Sequence, residues 1–280
     1  MTPDEHYADL KRIIAAVSGK AKRINVIMPM LYEGRQHRRT ARESMDCALM
    51  LQELVGMGVE NIITFDAHDP RVQNAIPLSG FESIMPTYQM LKAMCATYDD
   101  LKIDKDHMMV VSPDEGAIGR NIYYSSAMGV NLGMFYKRRD YTRVVNGRNP
   151  IVAHEYLGES VEGKTVFIAD DIIASGESML EVASELKKRG AKNIIANATF
   201  PLFTSGVEKF DEAVKAGTLT AVLGTNLTYR KPELLEKSWY FDVDCSKYCA
   251  YFVAAINHEM SVSSICDPIN KIENLLAKRD

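Results

Sequence analysis

Short apolar runs alternate with segments of helical periodicity along the whole chain. The run "INVIMPM" at 24–30 predicts a buried strand, and residues 41–57 carry apolar side chains at helical spacing. Thr40 and Glu43 fit a capping box at the start of that helix. The next strand is predicted at 61–65, "NIITF". This order of strand, helix and strand is typical of a parallel sheet.

The same order recurs in the second half of the chain. "TVFIA" at 165–169 predicts a strand, "DDIIASGES" a loop, and "NIIANATF" at 193–200 another strand. Between them, apolar residues recur at helical spacing: Met179, Val182, Ala183 and Leu186. We therefore predict an α/β protein with two related halves, residues 1–97 and 98–280, each with a parallel sheet flanked by helices.

Composition narrows the class of protein. The chain has 280 residues, 46% of them apolar, which indicates a packed globular protein. A formal charge of -4 argues against general binding to nucleic acid or to a membrane surface. Five scattered cysteines favour a reducing cytoplasm over a disulfide framework. The N-terminus predicts a charged amphipathic helix rather than a signal peptide.

Ligands of open parallel sheets bind at the carboxyl ends of the strands. In this chain four polar segments follow predicted strands: Arg35–Arg39, Asp66–Asp69, Ser112–Gly116 and Asp170–Ser178. We therefore expect the ligand-binding residues to lie in these four segments.

The segment "DDIIASGES" combines two adjacent carboxylates with a turn that leads into a helix. Free backbone N–H groups and the dipole at a helix N-terminus favour an anion, and Ser175 and Ser178 can add hydroxyl donors. Asp170 and Asp171 would repel a phosphate but suit the vicinal hydroxyls of a ribose. Together they describe a ribose 5-phosphate site. The alternative is plain turn chemistry, with Ser178 and Glu181 as a capping box.

This segment resembles the phosphoribosyl pyrophosphate motif of type I phosphoribosyltransferases and ribose-phosphate pyrophosphokinases. Four further segments resemble the pyrophosphokinase family in particular, and all five occur in the family's order. They are "VIMPMLYEGRQHRR", "NIITFDAHDPRVQNAI", "VVSPDEGAIGR" and "YKRRDYTR", and "SVSSI" near the C-terminus matches the family's terminal signature. A simple phosphoribosyltransferase would need a base-binding hood, for which the sequence gives no sign.

The resemblance implies transfer of a diphosphoryl group from ATP to ribose 5-phosphate, giving 5-phosphoribosyl 1-pyrophosphate and AMP for nucleotide biosynthesis. It implies Mg²⁺ as cofactor and homo-oligomers, commonly hexamers of dimers. It also implies roles for particular residues: ATP binding by Arg35, Gln36, Arg38 and His68; metal binding by His68 and Asp114; ribose phosphate binding by Asp170, Asp171, Ser175, Gly176 and Ser178; catalysis by Lys137 and Arg139.

Each of these residues also has a structural alternative. The segment "RQHRRTARE" could be a solvated basic loop, His68 a packing residue, and Asp114 part of a proline-containing turn. Lys137 and Arg139 share one side of an extended segment and could be an ordinary basic patch beside a surface loop, and "DYTRVVNGRNPIVAHEYLGES" after them predicts such a loop.

The chain departs from the family pattern at several positions. It begins after the family's N-terminal Phe-x-x-Gly-Glu segment, so we expect the first half to be incomplete. His37 and Ala174 stand where the family usually has Asp, Glu177 where it has a small residue, and Ala117 where it has the second Gly of the pyrophosphate turn. The alternative hypothesis is therefore a non-catalytic, nucleotide-binding or regulatory homologue associated with an active synthetase.

Overall fold

The computed structural model describes residues 1–39, 41–98, 100–139 and 151–278, with the backbone alone for 137–139 and 151–154. The chain forms two units, Met1–Pro86 and Thr87–Asp280. The sequence placed the boundary between residues 97 and 98. The structural division comes before the helix Thr87–Thr97, because that helix packs against two strands of the second unit.

The first unit contains a three-stranded parallel sheet. Its elements are α1 (Pro3–Val17), β1 (Ile24–Ile27), α2 (Asp46–Gly56), β2 (Val59–Phe65), a 3₁₀ helix (Pro70–Ala75) and β3 (Gly80–Ile84). The strand order is β1-β2-β3. Ile14 of α1, Leu51 and Leu54 of α2 and Ile62 of β2 share one apolar core. Burial of these side chains supplies the main driving force for the unit to fold.

The start of α2 differs from the prediction. The helix begins at Asp46 after Met45, whose side chain makes no capping hydrogen bond. The predicted capping box of Thr40 and Glu43 is therefore wrong for this helix, and Thr40 itself lies outside the described residues. A capping box does form at α1, where Glu5 and Thr2 bond reciprocally, and α1 confirms the predicted N-terminal helix.

The second unit contains a seven-stranded sheet flanked by helices. Its strands are β4 (Met108–Ser112), β5 (Asn131–Arg139), β6 (Ile151–Leu157), β7 (Thr165–Ile173), β8 (Asn193–Pro201), β9 (Ala221–Thr225) and β10 (Tyr240–Val243). Its helices are α3 (Thr87–Thr97), α4 (Ile118–Met128), α5 (Glu177–Lys188), α6 (Glu208–Lys215), α7 (Pro232–Leu235), α8 (Ser246–Asn257), α9 (Ser263–Cys266) and α10 (Ile269–Leu276).

The strand order of this sheet is β10-β9-β8-β7-β4-β5-β6. All neighbouring pairs are parallel except β5 and β6, which are antiparallel. The chain runs outward from β4 to β5, and then returns to place β7 on the other side of β4. The carboxyl ends of β4 and β7 therefore flank a topological switch point, where open α/β sheets form a crevice for ligands.

The antiparallel strand β6 corrects a prediction. The segment from Asp140 to Ser160 was predicted to be a loop, yet Ile151–Leu157 pairs with β5, with Phe135 opposite Tyr156. Gly133 makes room for this tyrosine, because a Cβ there would lie 2.5 Å from the Tyr156 hydroxyl oxygen. Residues 151–157 mix polar and apolar side chains without a clear strand pattern. The strand forms because it pairs with its single neighbour, β5. Residues 140–150 lie outside the described part of the chain.

Across the described ranges, the longest helices fall short of the length and apolar character needed to cross a bilayer.

Candidate functional site

Two aspartates occupy the carboxyl end of β7 in the second unit. The strand extends to Ile173, so Asp170 and Asp171 lie within it rather than in the predicted loop. Asp171 is buried, and the side chain of Asp170 is 29% exposed. The backbone N–H of Asp171 donates to Oδ1 of Asp170 at 2.9 Å, which restrains the side chain of Asp170.

Arg120 of α4 faces both aspartates. Its Nη1 lies 3.7 Å from Oδ1 of Asp170, and its Nη2 lies 3.9 Å from Oδ1 of Asp171. Burial and the neighbouring Asp171 carboxylate raise the pKa of Asp170 well above its ordinary value of 3.8, and Arg120 only partly offsets them. Arg120 belongs to the segment "VVSPDEGAIGR", but the sequence pattern gave this arginine no role. Its signal was an arginine in the first turn of the helix after a strand.

Gly176 makes the turn between β7 and α5. Its φ of +78° lies in the left-handed region, which favours glycine, and a Cβ there would lie 2.2 Å from an atom of the Phe210 ring. Gly176 is the N-cap of α5, so the amides of the first turn receive no capping side chain from it. The helix begins at Glu177, which makes the alternative capping box of Ser178 and Glu181 wrong.

The serines of this turn lie near the first turn of α5. Ser175 Oγ accepts a hydrogen bond from the N–H of Glu177 at 3.4 Å, and Ser178 is exposed on the helix. The helix start therefore offers amides, the positive end of a helix dipole and the exposed hydroxyl of Ser178, a few residues after the two carboxylates. This arrangement can bind an anion beside a diol.

The turn after β4 lies on the other side of the switch point. Oδ1 of Asp114 accepts a hydrogen bond from the N–H of Ala117 at 3.1 Å, and Ser112 Oγ donates to the Asp114 carbonyl at 2.8 Å. Asp114 thus stabilises its own turn, as expected if its role is structural. Its side chain nevertheless stays partly exposed. Ala117, which replaces a family glycine, is buried at the start of α4.

Asn121 joins this turn to β7. The pairing of β4 with β7 ends at Val110 and Phe167, where the strands separate. Beyond that point Asn121 accepts a hydrogen bond from the N–H of Ala169 at 3.1 Å and donates to its carbonyl at 2.8 Å. The side chain of Asn121 is fully buried and takes the place of a neighbouring strand. Sequence reasoning gave Asn121 no role either.

The predicted ATP-binding residues belong to the first unit. Arg35, Gln36 and Arg38 are exposed in the loop after β1, and His68 is exposed after β2. The structure brings this loop to His68 through His37, whose ring centroid lies 5.2 Å from that of His68. Because β1 and β2 are parallel neighbours, their carboxyl ends meet at one edge of the sheet, as expected.

His37 and Asp69 lie at the centre of this edge. Nε2 of His37 is 3.6 Å from Oδ2 of Asp69, and Nδ1 of His37 is 3.1 Å from the Arg35 carbonyl oxygen. Burial lowers the pKa of His37, and the His68 ring adds to that effect. Hydrogen bonds from Arg71 lower the pKa of Asp69 to about 2, so this carboxylate is charged at neutral pH.

The two predicted metal ligands lie in different units, His68 in the first and Asp114 in the second. Among the side chains that the structure describes, no three from His, Cys, Asp and Glu converge on a possible ion. Mg²⁺ in phosphate-transfer sites uses one or two protein carboxylates together with water and substrate oxygens. The partly exposed carboxylate of Asp114 has the chemistry for such a ligand.

The predicted catalytic residues Lys137 and Arg139 end strand β5. They are two residues apart, and the pairing of β5 with β6 is irregular between Arg138 and Arg139. Their side chains lie outside the part of the chain that the structure describes.

Comparison with known proteins bears on this arrangement. A model of the phosphoribosyl transferase domain matches residues 81–213, and a model of the N-terminal domain of ribose phosphate pyrophosphokinase matches residues 1–58. The ribose-phosphate pyrophosphokinase of Ralstonia nicotianae is 31% identical over 207 residues, which cover 71% of this chain and 61% of the relative. The chain belongs to the ribose-phosphate pyrophosphokinase family.

Other relatives agree with this family assignment. The ribose-phosphate pyrophosphokinase of Thermosipho africanus is 31% identical, covering 72% of this chain and 61% of the relative. That of Vibrio parahaemolyticus is 27% identical, covering 88% and 74%. The chain thus spans about 61% of the length of the curated relatives from Ralstonia and Thermosipho.

The fold agrees as well. The crystal structure of phosphoribosylpyrophosphate synthetase from Mycobacterium smegmatis superposes with a TM-score of 0.74 at 22% identity, covering 90% of this chain and 77% of that one. The predicted α/β fold, with parallel sheets flanked by helices, is confirmed. The phosphoribosyl transferase match includes β4, β5, β7 and α5, which carry the predicted residues of the second unit.

Proposed function

We propose that this protein transfers a diphosphoryl group from ATP to ribose 5-phosphate, giving 5-phosphoribosyl 1-pyrophosphate and AMP. One observation carries the proposal. The adjacent carboxylates of Asp170 and Asp171 at the end of β7 are followed by the Gly176 turn and the N-terminus of α5. These groups lie at the switch point of the sheet, between β7 and β4. A sugar with neighbouring hydroxyls and a phosphate has the chemistry that this sequence of groups can recognise.

In this proposal β7 and α5 bind ribose 5-phosphate. Asp170 and Asp171 accept hydrogen bonds from the 2- and 3-hydroxyls of the ribose. The phosphate binds the amides at the start of α5, with Ser175 and Ser178 as hydroxyl donors and Gly176 allowing close approach of the backbone. Arg120 reduces the repulsion between the two carboxylates and so positions them.

The loop after β1 binds ATP in this proposal. Arg35 and Arg38 carry exposed guanidinium groups, which hold phosphate oxygens bidentately, and Gln36 lies between them. His68 lies next to His37 at the same sheet edge and completes the set.

Mg²⁺ is the cofactor that we propose, with His68 of the first unit and Asp114 of the second unit each as a candidate ligand in its own unit. When bound, the ion would neutralise charge on the phosphates during transfer. The partly exposed Asp114 carboxylate at the carboxyl end of β4 suits this role, while one of its oxygens holds the turn in place.

The chemical step joins the anomeric oxygen of the ribose to the β-phosphorus of ATP. The bond between that phosphorus and the bridging oxygen of AMP breaks, AMP leaves, and the hydroxyl proton passes to solvent. Lys137 and Arg139 supply positive charge for the oxygens that become more negative in this step. We therefore assign both residues a catalytic role.

The names of the matched relatives support an enzyme over the non-catalytic homologue. The family resemblance also supports homo-oligomers, which we propose for this chain.

Incubation with ATP, Mg²⁺ and ribose 5-phosphate tests the proposal. We expect AMP to form only when ribose 5-phosphate is present. Lys137→Ala should reduce turnover strongly while ribose 5-phosphate still binds. Nucleotide binding without AMP formation would instead support the regulatory homologue.

A further inference from the structure

An ion pair lies at the N-terminus of helix α5. Oε1 of Glu177, the first residue of α5, is 2.6 Å from Nζ of Lys209 in the first turn of α6. Both side chains are more than half exposed, at 61% and 58%. The hydrogen bond from Lys209 lowers the pKa of Glu177, so the carboxylate is charged at neutral pH.

The backbone beside this pair is fixed by packing. Gly176, next to Glu177, lies against the ring of Phe210, next to Lys209. Phe210 is fully buried and stacks on Trp239 with ring centroids 5.6 Å apart. Two consecutive residues of the α5 turn therefore face two consecutive residues of α6. This packing keeps the ammonium of Lys209 beside the start of α5.

The ion pair itself contributes little to stability, because exposed pairs are screened by water and salt. Its position does affect the binding of an anion at the start of α5. A carboxylate in the first turn of a helix interacts favourably with the helix dipole, and it thereby competes with any anion that binds there. Lys209 offsets this negative charge, and its own ammonium is also attracted to Glu212.

We propose that Glu177 and Lys209 together set the affinity of the α5 turn for the phosphate group of ribose 5-phosphate. Glu177 weakens phosphate binding and Lys209 compensates for it. The pair thus stands in place of the small neutral residue expected at position 177, and phosphate can still bind at the start of α5. This inference rests on the proposed function, since it takes ribose 5-phosphate as the ligand of the turn.

The two charges predict opposite effects of their removal. We expect Glu177→Gln to bind ribose 5-phosphate about threefold more tightly, because a charge within the first turn of a helix has an effect of this order. Lys209→Met should bind it about threefold more weakly. The double variant should return close to the native affinity. Calorimetric titration with ribose 5-phosphate at low salt measures all four dissociation constants.

Glu185→Gln provides a matched control. Glu185 lies on the same helix and pairs with Arg189 at 3.1 Å, but near the opposite end of α5. Its removal should leave the affinity unchanged. Differences among the variants should shrink in about 1 M salt, where the screening length falls to about 3 Å. Thermal unfolding confirms that each variant is folded.

The signs of the changes decide the outcome. If the pair only ties α5 to α6, both single variants weaken binding or neither changes it, and the inference is overturned. Binding by the native protein with no shift in the variants overturns this inference alone. Absence of binding by the folded native protein overturns it together with the ribose 5-phosphate site of the proposed function.

Discussion

The charged form of the Asp170 carboxylate lowers the stability of the folded protein at neutral pH. Burial and the Asp171 carboxylate raise its pKa, so the folded protein binds a proton more tightly there than the unfolded chain does. The stabilising contribution of that proton is fully present below the ordinary pKa of 3.8 and is lost as the pH rises through the raised value. Groups with such perturbed pKa values concentrate at functional sites.

Asp170→Asn should therefore raise the free energy of unfolding at pH 7 relative to the native protein. The gain should shrink as the pH falls towards 4, because the native Asp170 then becomes protonated. Urea unfolding between pH 4 and pH 8 measures the difference.

Asp211→Asn is the control of opposite sign. Asp211 accepts hydrogen bonds from Lys237 at 2.6 Å and Trp239 at 2.7 Å, and these bonds lower its pKa. Its contribution is present above the ordinary pKa and is lost as the pH falls, so this substitution should destabilise the protein at pH 7. A loss of stability at pH 7 in both variants would contradict the account of Asp170.

Gly176 combines a left-handed backbone with a close contact. Gly176→Ala should destabilise the protein by about 2–5 kcal/mol, adding about 1–2 kcal/mol for the left-handed conformation and about 1–3 kcal/mol for overpacking against Phe210. Gly163→Ala is the matched control, because Gly163 has a φ of +72° and open space at its Cβ position. It should cost only the backbone share, about 1–2 kcal/mol. Equal losses in chemical unfolding would show that the Phe210 contact has no energetic role.

At the scale of elements, the pairing of β4 with β7 ends at Val110 and Phe167, and beyond that point Asn121 provides hydrogen-bond partners for Ala169. Asn121→Ala would leave the N–H and C=O of Ala169 without their partner in a buried position, at a cost of about 1–3 kcal/mol for each unsatisfied group. The loss should also weaken ribose 5-phosphate binding, since α4 carries Arg120.

Asn131→Ala provides the comparison for Asn121. Asn131 donates to Glu159 at 2.6 Å in an exposed pair, so its loss should change stability by less than about 1 kcal/mol. Similar losses of unfolding free energy in the two variants would contradict the role of Asn121 at the switch point.

Elements with strong local signals were predictable from the sequence. The strands at 61–65, 165–169 and 193–200 and the helix beginning near Met179 were found, because their apolar periodicity reports directly on burial. The end of β7 and the strand β6 were not predicted. Asp170 and Asp171 carry a turn signal that pairing with β8 overrides, and β6 depends on its neighbour β5.

The roles of the candidate site residues stay predictions, but the sequence located some of their positions in the fold. Motif order pointed to Asp170 and Asp171, and the structure places Gly176 as the helix N-cap after them. Arg120 and Asn121 were missed because their importance comes from contacts across the fold, about 50 residues away in sequence, as the separation of 48 between Asn121 and Ala169 illustrates. Single-sequence patterns report on neighbours within a turn or strand and not on such contacts.

At the scale of the whole molecule, the two units carry different parts of the proposed reaction. Residues assigned to ATP lie in Met1–Pro86, and those assigned to ribose phosphate and catalysis lie in Thr87–Asp280. In this proposal, transfer between the two substrates requires both sets of residues.

The fate of the β- and γ-phosphates of ATP tests the central claim most directly. Phosphorus NMR of a reaction with ATP, Mg²⁺ and ribose 5-phosphate distinguishes the possible products. We expect both phosphates to appear together as a diphosphate on the anomeric carbon, with one AMP for each sugar product. Formation of ADP, release of free pyrophosphate without the sugar diphosphate, or unchanged ATP would contradict diphosphoryl transfer by this protein.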